Sequence, residues 1–278
     1  MQAGEILIYI LIATNLLVSY KGLKDNAFFN RYKFDIDGIL VHKEYDRMIT
    51  SGFLHVSWTH LLFNMISLYF FAPSLVEIVG IGYFILLYFA ALVGGDSFAL
   101  LAHREHGDYS SAGASGAICG VIFACVALDP GISIGMFFLP IFLPGWLYAL
   151  IFVGTSIYGI RSGRDNIGHE AHLGGAVVGM LVAICIFPQA IISNYLPITI
   201  VLVPTIILIY IILHKPHLLL VDNMFFKKHD KFYNIDHRDN AKKASRQKEL
   251  DVLLEKIHKK GMQGLSASEK RKLEELSK

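Results

Sequence analysis

The chain has 278 residues, 54% of them hydrophobic and only 17% charged, with a mean hydropathy of +0.50 and a formal net charge of +2. A soluble domain of this size carries about 25% charge, so a water-soluble globular enzyme is excluded, and the near-neutral balance gives no reason to expect a nucleic-acid partner. The apolar residues fall into runs near 5–20, 58–79, 81–102, 114–128, 145–160, 169–187 and 190–213, which read as seven membrane spans. Several reach the roughly 17–25 residues that cross a bilayer as helix. Their hydrophobicity is continuous rather than alternating, and lipid offers no partner for an unpaired backbone group, so an all-α polytopic bundle is predicted rather than a barrel.

In chain order, the first run lacks a basic flank and a small-residue cleavage site, so it reads as a span rather than a signal peptide. Residues 21–57 mix charges with Phe28, Phe29, Tyr32, Phe34, Tyr45 and Phe53, a composition suited to the headgroup region. The second span opens with His55, His60 and Asn64, and the polar stretch His103–Ser111 follows the third. The fourth span begins at Gly113-Ala114-Ser115-Gly116, with Gly120 completing a Gly-x-x-x-Gly spacing. After the fifth comes a second polar stretch, Arg161–Glu170. The sixth then opens with His169 and His172 and continues with Gly174, Gly175 and Gly179.

Cys119, Cys125 and Cys185 lie in apolar runs without metal-ligand spacing and read as packing residues, so no metal or cofactor is expected. Residues 190–213 form the seventh run despite Pro197 and Pro204, and from His214 onward 16 Lys and Arg face 10 Asp and Glu. That tail predicts a helical hairpin from Leu250, Leu253, Leu254 and Ile257, the interruption at Gly261 and Gly264, and a capping box at Ser266 and Glu269. It reads as a solvated appendage resting on itself or on headgroups, with a protein-binding module as the alternative.

Polar residues at span depth are expensive and usually functional. By alternation, His55, His60, Asn64, Ser115, His169 and His172 all lie at the span ends that face the same three polar loops. A serine hydroxyl and an imidazole on separate helices share a proton only within about 2.6–3.2 Å, and the small residues of the fourth and sixth spans allow that approach. Gly113 and Gly116 leave backbone N–H groups open at the start of the fourth helix, where the helix dipole favours a developing oxyanion. His60 and Asn64, four residues apart on one face, can add side-chain donors. Nucleophile, base and oxyanion donors together outline an acyl-transfer site.

The stretches HVSWTHLLFNM, GASG and AHLGG, in this order, resemble the three signature regions of the rhomboid family of intramembrane serine proteases over about residues 5–187. The resemblance implies a six-helix core, here with one additional C-terminal transmembrane helix, and a Ser-His dyad cleaving transmembrane protein substrates within the lipid bilayer. It carries over to Ser115 as nucleophile, His172 as base, and His60 and Asn64 as oxyanion-hole side chains beside the Ser115 N–H. It makes His55 structural and leaves His169 as a loop or supporting residue, because Ala171-His172-Leu173-Gly174 fits the family pattern.

Arg47 stands where the family often has a Trp-Arg pair, with Asp46 in place of the Trp. The expected domains are a core at 1–188, the added span at 189–213 and the tail at 214–278. Lys and Arg gather on the mouth side, six in the first loop, one in the third and two in the fifth, which by the positive-inside rule places the mouth in the cytoplasm. The resemblance instead implies a mouth facing away from the cytoplasm, and the expectation adopted is a bacterial inner membrane with the site on the extracytoplasmic side. The alternative activity is that of an inactive relative which binds transmembrane clients.

Overall fold

A computed structural model describes residues 3–135, 142–162 and 168–214, together with Lys256, Ile257, Ser266 and Leu273. The chain divides into two compact units, residues 1–227 and residues 228–278, and the apolar helices belong to the first. In the tail Lys256, Ile257 and Leu273 are helical, while Leu250, Leu253, Leu254, Gly261, Gly264 and Glu269 lie outside the described residues.

α1 (Ala3–Lys24) buries Ile8, Leu11, Asn15, Ser19 and Gly22 on one stripe and turns Ile10 and Leu17 outward, the pattern of a helix with one face on protein and one on lipid. The first loop then folds as α2 (Asn26–Tyr32), β1 (Phe34–Asp35), α3 (Ile36–Leu40), α4 (Arg47–Thr50) and a 3₁₀ turn (Ser51–Phe53). Asp25 and Asp35 cap α2 and α3 through their carboxylates, as N-cap aspartates do.

α5 (Trp58–Ala102) consists of two helical arms that meet at one non-helical residue, Gly80, at φ 79° and ψ 165°. A left-handed φ at that position requires glycine. Its two arms are the second and third predicted spans. They run antiparallel, because the His60 ring in the first arm lies against Gly113, while Asp96 in the second arm bonds Ser51, whose carbonyl accepts the Gly113 N–H.

β2 (Ser110–Ser111) pairs antiparallel with β1, Phe34 opposite Ser111, so the first and third loops are stitched together. α6 (Ser115–Leu128) follows, and every residue from Gly116 to Ala127 is buried. A helix apolar all round belongs at the centre of a bundle. β3 (Ser133–Gly135) and β4 (Phe142–Pro144) pair antiparallel, then come α7 (Gly145–Ser162), α8 (His169–Ile186), α9 (Gln189–Ser193) and α10 (Tyr195–His214).

α10 runs unbroken through Pro204. At 20 residues and 1.5 Å per residue it is about 30 Å long, enough to span the hydrocarbon core. It buries Ile198, Val201, Thr205, Leu208 and Ile212 at helical spacing, and Asn194 at its start donates to the terminal α6 carbonyls of Ala127 and Leu128 at 3.0 and 3.2 Å. The architecture is therefore an all-α polytopic membrane bundle.

The centre is set by glycine. A Cβ on Gly175 would collide with the backbone of Gly116, and one on Gly179 with the backbone of Gly120. Gly95 lies as tightly against α8, where a Cβ would stand 2.5 Å from the Ala171 carbonyl oxygen. Backbone cannot rotate aside as a side chain can, so Gly179→Ala must separate α6 from α8. The expected cost is that of overpacking, about 1–3 kcal/mol, read as a lower Tm in detergent; an unchanged Tm would contradict this packing.

Candidate active site

α6 begins at Ser115 with Ala114 as its N-cap, and no side chain caps it. The first N–H groups of a helix have no intrahelical partner, so those of Ser115 and Gly116 are open to an anion. Gly113 enters the turn at φ 152°, a conformation that favours glycine. A Cβ there would also stand 2.7 Å from His60 Cε1 and 3.5 Å from Ser115 Oγ. The absence of a Cβ at Gly113 therefore leaves room for the His60 imidazole close to the same backbone position as the Ser115 hydroxyl.

His172, in the first turn of α8, places Nε2 2.6 Å from Ser115 Oγ. Both side chains are half-buried, as is His60, so the group is reachable from the loop side. His169 is buried, with its ring 6.0 Å from that of His172 and packed on Gly159 of α7; it is His172 that meets the serine hydroxyl. Asn64, one turn below His60, is buried and donates its Nδ2 to the His60 carbonyl at 3.0 Å. His60 Nδ1 is buried without a hydrogen-bond partner among the described residues.

The surrounding residues hold these groups in place. His55 is fully buried, with Nδ1 2.9 Å from Ser19 Oγ of α1. The Ala114 N–H points to its Nε2 at 3.5 Å. Since Ser19 lies 3.0 Å from the Phe53 carbonyl as a donor, one consistent chain results: the Ser19 hydroxyl donates to Phe53, His55 Nδ1–H donates to Ser19, and neutral Nε2 faces Ala114. Arg47 pairs with Glu44 at 2.6 Å and donates to the carbonyls of Asn30 and Lys33 at 2.9 and 2.8 Å. Asp46, in the place of the Trp, pairs instead with Arg31 at 3.1 Å. The first loop is thus tied down from Arg47.

Sequence reasoning passed over a second polar group behind the site. Glu170, buried in the first turn of α8, lies 3.4 Å from His103 Nε2, and His103 stacks on Tyr109 at 3.7 Å with the planes 8° apart. Burial first, then the Glu170 carboxylate, pushes the Tyr109 hydroxyl pKa up. Asp96 was passed over as well, although a carboxylate inside an apolar run is a signal in its own right.

The comparisons agree on a family. A model of the rhomboid domain matches residues 42–189, and a family of unknown function (DUF6576) matches residues 233–278. RHOMBOID-like protein 12, mitochondrial, of Arabidopsis thaliana is 33% identical over 150 residues, covering 48% of this chain and 44% of that protein. Presenilin-associated rhomboid-like protein, mitochondrial, of Rattus norvegicus is 35% identical over 137 residues, covering 48% and 36%. Rhomboid protein 1, mitochondrial, of Saccharomyces cerevisiae is 33% identical over 138 residues, covering 48% and 40%. The chain spans less than half the length of each of these relatives. Their names overturn the expected bacterial inner membrane, for all three are mitochondrial proteins.

The buried His55 generates a pH prediction. Burial, and next the neighbouring His60, lowers its pKa from 6.5 to about 3. The unfolded chain takes up this proton near the ordinary value and the folded chain only near the lower one, so stability is held above the ordinary value and lost as pH falls through the window between. In thermal melts in detergent, His55→Asn is expected to lose less Tm than wild type as pH drops from about 6.5 to 4. An equal drop would contradict a buried neutral His55.

Proposed function

The chain belongs to the rhomboid family, and from that premise we propose that it is an intramembrane serine endopeptidase cutting transmembrane segments of other proteins through an acyl-enzyme. The observation that carries the reading is the 2.6 Å approach of Ser115 Oγ to His172 Nε2 beneath the uncapped N-terminus of α6. Residues 1–188 are the catalytic core in this reading, 189–213 an added span and 214–278 a separate tail. The names of the relatives support a mitochondrial membrane as its site of action.

In the first half-reaction Ser115 Oγ attacks a peptide carbonyl carbon as its proton passes to His172 Nε2. The carbonyl oxygen becomes an oxyanion beside the N–H groups of Ser115 and Gly116, at the positive end of the α6 dipole. His60 lies across Gly113 from the nucleophile and supplies an imidazole N–H on that side. Asn64 adds its amide once Nδ2 leaves the His60 carbonyl. The tetrahedral species collapses with His172 donating its proton to the leaving amine, and an acyl ester remains on Ser115. Water from the loop side then gives a proton to His172 and attacks the ester, and His172 returns that proton to Ser115 Oγ as the new carboxyl end leaves.

Against a reporter carrying one transmembrane segment in proteoliposomes, Ser115→Ala and His172→Ala are each expected to lower the cleavage rate about 10,000-fold or more. Asn64→Ala should lower kcat about 100-fold, as for one oxyanion donor. Intact reporter with wild-type protein, yet stable capture of it, would instead identify an inactive client-binding relative.

A further inference from the structure

Asp96 has no part in the chemistry above, yet it is a carboxylate only 7% exposed in the second arm of α5, close to the fully buried Ala99. Such a group inside a membrane protein is costly unless hydrogen-bonded. Its partner is Ser51 of the 3₁₀ turn, 2% exposed, whose hydroxyl donates to Asp96 Oδ2 at 3.0 Å. The same residue's carbonyl accepts the Gly113 N–H at 3.0 Å. The 3₁₀ turn is itself pressed on α5, for a Cβ on Gly52 would stand 2.6 Å from Leu92 Cδ1.

We propose that Asp96 is a positioning residue which, through Ser51, holds Gly113 and the oxyanion turn in register with His60 and Ser115. The carboxylate fixes the Ser51 hydroxyl, which fixes the orientation of that residue. Its carbonyl then fixes the peptide of Gly113, two residues before the nucleophile. Gly113 has a φ few residues adopt and an imidazole against its Cα, so it depends on outside bonds to hold that shape. An apolar residue at 96 would leave the Ser51 hydroxyl buried without its acceptor and free to reorient.

The consequence for catalysis rests on the protease reading; the structural link does not. Full-length wild type, Ser51→Ala, Asp96→Leu and Asp96→Asn in nanodiscs are compared by hydrogen–deuterium exchange over residues 112–116 and by the rate of fluorophosphonate labelling. Ser51→Ala and Asp96→Leu should each speed exchange of the Gly113 amide about tenfold, with α10 unchanged. Each should slow labelling by a similar factor, and the double variant should be no slower than the slower single, as for residues acting in one chain. Asp96→Asn, which keeps an acceptor oxygen, should recover most of both losses.

Exchange at 112–116 that stays at the wild-type rate in both variants, or that rises equally across α6, α8 and α10, would overturn the proposal. Ser51→Ala removes one hydroxyl and decides the matter where Asp96→Leu does not fold. Wild-type protein that exchanges as expected but never labels would remove the protease reading and leave the link standing.

Discussion

Between helices in lipid there is little hydrophobic attraction, since acyl chains are as apolar as leucine; close association comes from van der Waals packing where backbones can touch. In this protein that contact is the seam between α6 and α8, where Gly175 rests on Gly116 and Gly179 on Gly120. Ser115 lies just before Gly116 and His172 one turn before Gly175, so the same seam that joins the helices brings hydroxyl to imidazole at 2.6 Å. The second arm of α5 closes the third side, with Gly95 against the Ala171 carbonyl and Gly94 against Val178. A side chain added anywhere along this seam acts on the site as a lever.

Around the seam, polar residues buried at the loop end serve as struts. His55 joins α1 to the turn before the serine, Arg47 gathers the first loop, β1 with β2 ties that loop to the third, and Ser51 with Asp96 reaches the Gly113 peptide. Burying each group costs free energy that its hydrogen bonds offset. In the protease reading the site must admit water for hydrolysis, and these bonds fasten the loops that would border it.

The seven apolar runs of the sequence coincide closely with the helical segments, because a continuous apolar stretch in lipid has one way to satisfy its backbone. Ser115, His60, Asn64 and His172 were also visible, since polar residues at the ends of apolar runs stand out against their surroundings. Gly80 illustrates the limit: composition separates the spans on either side of it, but a turn made by a single left-handed glycine is a matter of φ and ψ. The bonds of Asp96, Ser51 and Glu170 depend on which loop folds over which helix, and sequence spacing carries no record of that. The compartment was not legible, because span length and the polar residues at the span ends do not distinguish a bacterial from a mitochondrial membrane; the names of the relatives correct that expectation.

In the protease reading the α6–α8 seam makes Ser115 a nucleophile by delivering His172 to it. Peptide mapping of the purified protein after treatment with a fluorophosphonate tests this most directly. The account predicts an adduct on Ser115 that disappears in His172→Ala, while His169→Ala still labels. An adduct on another serine, or labelling of Ser115 that does not depend on His172, would contradict it.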